Sequence, residues 1–174
     1  MEKVIEVPNG IEVEIENFKV KIKGPKGSLE RDFFSPIFKK DIVLKKEDNK
    51  ISINTESKRK KVKAMVGTIE AHIKNMFRGV TEGFTVKLKI VYMHFPFTIK
   101  INGKEISVNN FLGEKLARKT NIVGDCKVEV KGDEITVTGI SKEDVGQTSA
   151  NLERATWIRS RDRRVFQDGI FRLM

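Results

Sequence analysis

The residues best suited to chemistry lie at the C-terminal end, where Asn151 to Met174 carries six arginines (Arg154, Arg159, Arg161, Arg163, Arg164 and Arg172) and no lysine. The preceding 150 residues hold 24 lysines and only four arginines. A guanidinium is a planar, permanently charged fork of donors that meets phosphate oxygens two at a time, whereas an ammonium is a hydrated point charge on a flexible stem. The change from lysine to arginine predicts a phosphate-docking surface, and structured RNA is the partner that suits it. Compensation of a helix dipole, worth about 0.3 to 1 kcal/mol, accounts for one or two cations at a helix end. It does not account for five arginines within the eleven residues from Arg154 to Arg164.

Other clusters admit two readings each. Phe166 and Phe171 flank an Asp168-Gly169 turn and either stack on unpaired bases or pin the chain end to its own domain. Lys58-Arg59-Lys60-Lys61 with Lys63 stands at the start of a predicted helix, where positive charge is disfavoured. An anionic partner or plain solvation would offset it. The stretch Asn110 to Lys119 sets Lys115, Arg118 and Lys119 on a loop or short helical turn, either as binding groups or as part of a structural turn. Gly24-Pro25-Lys26-Gly27-Ser28 shares glycines and a lysine with phosphate loops but lacks their Gly-Lys-Ser/Thr ending and the following helix, so it reads as a turn.

No catalytic set emerges. His72 lies beside the apolar stripe of a predicted helix and His94 in an aromatic run, each without a second ligand or a paired nucleophile. Zinc needs three or four convergent ligands, and a general base needs a positioned partner. We therefore expect no catalytic residue, metal, cofactor or small-molecule substrate. Cys126 is the single cysteine, which excludes an internal disulfide or thiolate cluster within one chain and suggests a small apolar filler.

The formal charge of +10 favours a polyanion and predicts salt-sensitive association. Every apolar run is interrupted within a few residues, so no membrane span is expected. The N-terminus has neither the apolar core nor the cleavage site of a signal peptide, which points to the cytoplasm.

These side chains must be held by a scaffold, and the scaffold repeats. Lys50 to Lys58 (KISINTESK) aligns with Glu134 to Lys142 (EITVTGISK) at a displacement of 84 positions, and each copy runs into a helical pattern. Val20-Lys21-Ile22-Lys23-Gly24 likewise matches Ile99-Lys100-Ile101-Asn102-Gly103, each a strand entering a glycine turn. Asn102-Gly103 suits a type I′ hairpin, and Gly132-Asp133 and Asp48-Asn49 predict two more hairpins. Alternation of apolar and charged residues marks sheets with one wet face. Val62, Met65, Val66, Ile69, Ile73, Met76 and Phe77 form a helical stripe to cover the dry one, with Gly79 placed to end it. Ser141 and Asp144 have capping-box spacing at the start of a second helix, whose stripe is Val145, Leu152 and Ala155. The expected fold is α+β: two tandem similar domains, residues 1–82 and 83–174, each an antiparallel-rich sheet packed against one helix.

The duplicated unit, together with Val91-Tyr92-Met93-His94-Phe95-Pro96, Val108 to Lys115 (VNNFLGEK) and Arg163 to Phe171 (RRVFQDGIF), resembles the family of large-subunit ribosomal proteins numbered six in the universal series, in its archaeal and eukaryotic form. The resemblance covers essentially the whole chain. It implies two similar domains and contact with large-subunit ribosomal RNA near the stalk base and the sarcin-ricin region, where translation factors act. It also implies neighbouring large-subunit ribosomal proteins as partners. By position it places Arg159, Arg161, Arg163, Arg164 and Arg172, beside Arg154 of the same cluster, on or near RNA, with Lys115, Arg118 and Lys119 behind them. The alternative is a general architectural nucleic-acid-binding protein with little preference for ribosomal RNA. An RNA-modifying enzyme would need a cofactor loop or an acid/base pair, and a protein scaffold would form complexes that survive nuclease.

Overall fold

Alternating apolar and charged residues produce thirteen described strands, and two amphipathic stretches produce helices. The computed structural model describes residues 2–38, 41–47, 49–93, 95–159 and 161–173, and the chain divides into two units, Met1–Gly83 and Phe84–Met174. His94 and Asp48 of the expected Asp48-Asn49 turn lie outside the described residues.

The first unit contains β1 (Glu2–Glu6), β2 (Glu12–Glu16), β3 (Lys19–Gly24), β4 (Gly27–Asp32), β5 (Val43–Glu47), β6 (Lys50–Asn54) and α1 (Lys60–Thr81). Two antiparallel sheets result, ordered β1-β6-β5 and β2-β3-β4. In β3, Val20 and Ile22 are buried while Lys19, Lys21 and Lys23 between them are exposed, as a sheet with one wet face requires. Helix α1 buries Val62, Val66, Ile69, Ile73, Met76 and Phe77 and packs against β1, β3, β4 and β6. Met65 sits half-buried at the margin of this stripe.

Gly79 does not end the helix. It is buried inside it, and the terminator is Gly83, at φ +77°. The N–H groups of Glu82 and Gly83 both return to Arg78 O, at 2.9 and 3.1 Å. The extra turn persists because its Val80 is also buried and docks on the β3–β4 hairpin. A Cβ on Gly24 would come within 2.7 Å of Val80 Cγ2. From that hairpin Lys26 N–H donates to Val80 O at 3.0 Å, and its ammonium donates to Glu82 O. The Gly24-Pro25-Lys26-Gly27 segment is thus a turn that satisfies carbonyls at the end of α1.

The second unit contains β7 (Phe84–Val91), β8 (Thr98–Asn102), β9 (Glu105–Asn109), a 3-10 turn at Phe111–Gly113, β10 (Arg118–Asn121), β11 (Lys127–Lys131), β12 (Glu134–Gly139), α2 (Lys142–Ala155) and β13 (Gly169–Arg172). Its sheets are β11-β12-β7-β13 and β10-β9-β8. The repeat is visible in the pairing. β6 and β12 each lie between an earlier strand, β1 or β7, and a hairpin partner, β5 or β11, and each leads into the helix. The tandem α+β architecture is as expected, with each unit's strands divided between two sheets, because alternation fixes which face is wet but not which strands are neighbours.

One turn type differs from expectation. Asn102 pairs with Glu105, so the central residues are Gly103 and Lys104, and only Gly103 has positive φ, at +62°. That is the type II′ arrangement, with glycine at the first central position, and Gly132 at φ +59° repeats it between β11 and β12. The core of the second unit gathers Leu88, Ile90, Ile106, Val108, Phe111, Ile135, Val137, Val145, Leu152 and Ile170. Ser141 Oγ accepts from Asp144 N–H at 3.3 Å, the N-terminal half of the expected capping box. Among the described residues no helix is long and apolar enough to cross a membrane.

Candidate nucleic-acid interface

Ten of the last eighteen residues form the segment from Trp157 to Phe166, which joins the end of α2 to the approach to β13 and carries four of the C-terminal arginines. Both of its ends are anchored. On the far side, buried Asp168 (2 % exposed) accepts from Met93 N–H at 3.0 Å through Oδ1, and Ile170 enters the core. β13 pairs on one edge with β7. On its other edge, Ile170 N–H donates to Thr156 Oγ1 at 3.0 Å and Arg172 N–H to Glu153 Oε1 at 3.0 Å. Side chains of α2 and of its C-cap thereby satisfy donors that an edge strand would otherwise present. Thr156 Oγ also donates to Glu153 O at 3.1 Å, so this buried hydroxyl is used twice.

The near end is anchored by Arg118. Its Nη1 donates to Ala155 O at 3.0 Å and to Trp157 O at 2.9 Å. Its Nε and Nη2 grip Glu114 at 2.8 and 2.6 Å, and the guanidinium lies 4.5 Å from the centre of the buried Phe111 ring. These bonds occupy four of the five N–H groups an arginine possesses. The hydrogen bond from Arg118 holds the Glu114 carboxyl below the ordinary glutamate range, with Arg161 adding a weaker attraction. Arg118, expected near RNA, thus directs four of its donors to groups of the protein itself. It lies beneath the carbonyls that α2 leaves unpaired, and those carbonyls claim it first.

The loop that delivers Glu114 is contorted. Asn110, Leu112 and Gly113 have φ of +60°, +52° and +75°, and a leucine in that region is rare. Packing enforces it. Phe111 and Leu112 are buried, Phe97 meets Phe111 edge-on at 5.2 Å, and Asn110 Nδ2 donates to Pro96 O at 3.0 Å. The Phe111-Leu112-Gly113-Glu114 stretch thus acquires a role that its sequence did not disclose: it sets the acid that orients Arg118.

The remaining candidates fall into separate places. Arg154, Arg159, Lys119 and the edge of Arg118 line one groove of about 540 Å³, with Asn151 and Trp157. Lys119 is held by Glu105 at 2.8 Å. Arg163 lines a second cavity of about 550 Å³ with Trp157, Phe166 and Gln167. Arg161 covers the Phe166 ring at 4.9 Å. Arg164 pairs with Asp162 at 3.1 Å, which depresses that carboxyl. Lys115 is exposed on the loop, and Arg172 lies apart, beside Lys87 and Lys142 in a third cavity. Of the two phenylalanines, Phe166 packs against the core while Phe171 is largely exposed. His72 packs near Phe33, ring centres 6.1 Å apart, and Cys126 is half-buried against the core, where burial raises its thiol pKa. Sequence reasoning passed over Trp157, although a lone tryptophan beside an arginine run was itself a signal.

A twofold-repeated α+β scaffold that presents a clamped, arginine-bearing loop defines a class: tandem two-unit α+β proteins with a cationic surface. Comparison with known proteins gives the family. The family model described as ribosomal protein L6 matches residues 7–83 and again 95–169, and the chain belongs to that family. It is similar to the large ribosomal subunit protein uL6 of Methanobrevibacter smithii, 52 % identical over 96 % of this chain and 92 % of the relative. The corresponding proteins of Methanothrix thermoacetophila and Staphylothermus marinus are each 49 % identical over 96 % of this chain, covering 93 % and 90 % of their own lengths.

Proposed function

We propose that this protein binds large-subunit ribosomal RNA near the stalk base and the sarcin-ricin region through the arginine loop of its second unit. As a member of the ribosomal protein L6 family it is a structural, non-enzymatic constituent of the large subunit of the cytoplasmic ribosome. The finer reading rests on one observation: Arg154 in the last turn of α2, and Arg159 and Arg163 on the loop clamped at both ends, are exposed and have no ion pair among the described residues. Unpaired guanidinium groups on a fixed backbone are prearranged for phosphates, so little ordering cost falls on binding. Arg161, Arg164, Arg172, Lys115 and Lys119 add charge around them, while Arg118 acts from below. Neighbouring ribosomal proteins and the translation-factor region are partners in the same proposal.

The test is affinity for a folded large-subunit RNA fragment from that region against an unrelated RNA of equal length, across a salt series. Preference for the cognate fragment at every salt, with both curves falling steeply, is expected. Equal competition would refute site-specific recognition and leave a general nucleic-acid-binding protein. The triple variant Arg161→Ala, Arg163→Ala, Arg164→Ala should bind more weakly while remaining folded.

A further inference from the structure

We propose that Trp157 is a stacking platform for one unstacked nucleobase of the bound RNA, an inference that rests on the RNA-binding reading above. Trp157 is the only tryptophan of the chain and is 52 % exposed although it stands one residue beyond the helix cap. An exposed indole is normally driven to cover itself, so something holds this one out. Its backbone is fixed on both sides, by its N–H to Arg154 O at 3.2 Å and by its carbonyl to Arg118 Nη1 at 2.9 Å. Trp157 lines both hollows at once. On one side lie Arg154 and Arg159, and on the other Arg163, Gln167 and, deeper, Phe166.

This surround selects the partner. A protein segment without carboxylates covering the indole would take from water, without compensation, three guanidinium groups that have no ion pair among the described residues. A nucleic-acid strand brings a phosphate on either side of every base, so the base meets the indole while its own backbone meets Arg159 and Arg163. Bases within a duplex are stacked on each other, and the ligand is therefore a nucleotide from a loop, bulge or end. Stacking tolerates any base, and the exposed Gln167 amide at the cavity rim offers one donor and one acceptor to its edge.

Because the tryptophan is unique, its fluorescence reports the site in the unmodified full-length protein. The probes are the large-subunit RNA fragment named above and a fully paired RNA duplex of the same length. Binding of the fragment should shift or quench the emission. Trp157→Ala should weaken that complex about 5- to 150-fold. It should leave the salt dependence unchanged, since no phosphate contact is lost, and should not alter duplex binding. Trp157→Phe should retain most of the affinity. Equal affinity of Trp157→Ala and the parent, with the fragment bound normally, would overturn the platform and leave RNA binding standing. An equal loss on the duplex would do the same. Should the alanine variant fail to fold, unchanged emission of the parent at saturation would overturn it. A parent that binds neither RNA would overturn both readings together.

Discussion

Replacing Arg118 separates a residue that touches RNA from one that positions those that do. Arg118→Ala removes two hydrogen bonds to main-chain carbonyls at 3.0 and 2.9 Å, a two-pronged grip on Glu114 at 2.8 and 2.6 Å, and a ring contact at 4.5 Å. The side chains of Arg118 and Glu114 are 26 % and 42 % exposed, so solvent screening limits the ion pair to about 0.5–1 kcal/mol. The two carbonyl bonds contribute about 1 kcal/mol each and the ring contact about 0.5–1 kcal/mol. Since these share one side chain and do not simply add, the expected loss is about 2–4 kcal/mol. Arg118→Lys keeps the charge but not the fork, and about half of that loss should remain. Urea unfolding followed by Trp157 emission measures the second unit directly. RNA affinity should fall in the alanine variant, while its logarithmic salt slope stays constant. A phosphate contact would instead lower the slope by about 0.7–0.9. A destabilisation below about 1 kcal/mol, or a reduced slope, would refute the positioning role.

Three further outcomes follow from neighbouring groups. Glu114 has its pKa depressed from the ordinary 4.5 by Arg118, so its contribution to stability is complete above that value and is lost as pH falls through the lower folded-state value. The stability gap between the parent and Glu114→Gln should therefore narrow on acidification below 4.5, and a gap independent of pH would contradict the pairing. Thr156→Val preserves shape but strands Ile170 N–H and frees the edge of β13, and should cost about 1–3 kcal/mol in thermal or urea unfolding. Arg159→Ala and Arg163→Ala should each lower the salt slope of RNA binding by about 0.7–0.9, whereas Arg164→Ala, already paired with Asp162, should lower it less; equal effects would remove the distinction.

The scaffold was legible because its signals are local. Val20 and Ile22 between lysines declare a sheet face, and Val62 to Phe77 declare a helix stripe, from spacing alone. The end of α1 was misjudged because Gly79 and Gly83 look alike in sequence. Only the docking of Val80 on the β3–β4 turn selects the later glycine. The Asn102-Gly103 pair suggested a type I′ turn, but the cross-strand register moved the turn one residue onward, so glycine alone carries the positive φ. Register depends on partners that the local sequence does not name.

The division of labour among the arginines was illegible for the same reason. Arg118 and Arg159 are chemically identical, and both border one groove. They differ in what lies within reach. Arg118 finds two free carbonyls at the end of a helix and a carboxylate presented by a strained turn, and these saturate it. Arg159, two residues past Trp157, finds neither among the described residues and is therefore assigned in our proposal to an outside anion. The helix end thus draws a cation inward from β10, 37 positions away in sequence from Ala155. That capture fixes the backbone of Trp157, from which the outward arginines emerge. Composition announces that arginines are concentrated here, but the geometry of unsatisfied carbonyls decides which of them is spent inside the protein.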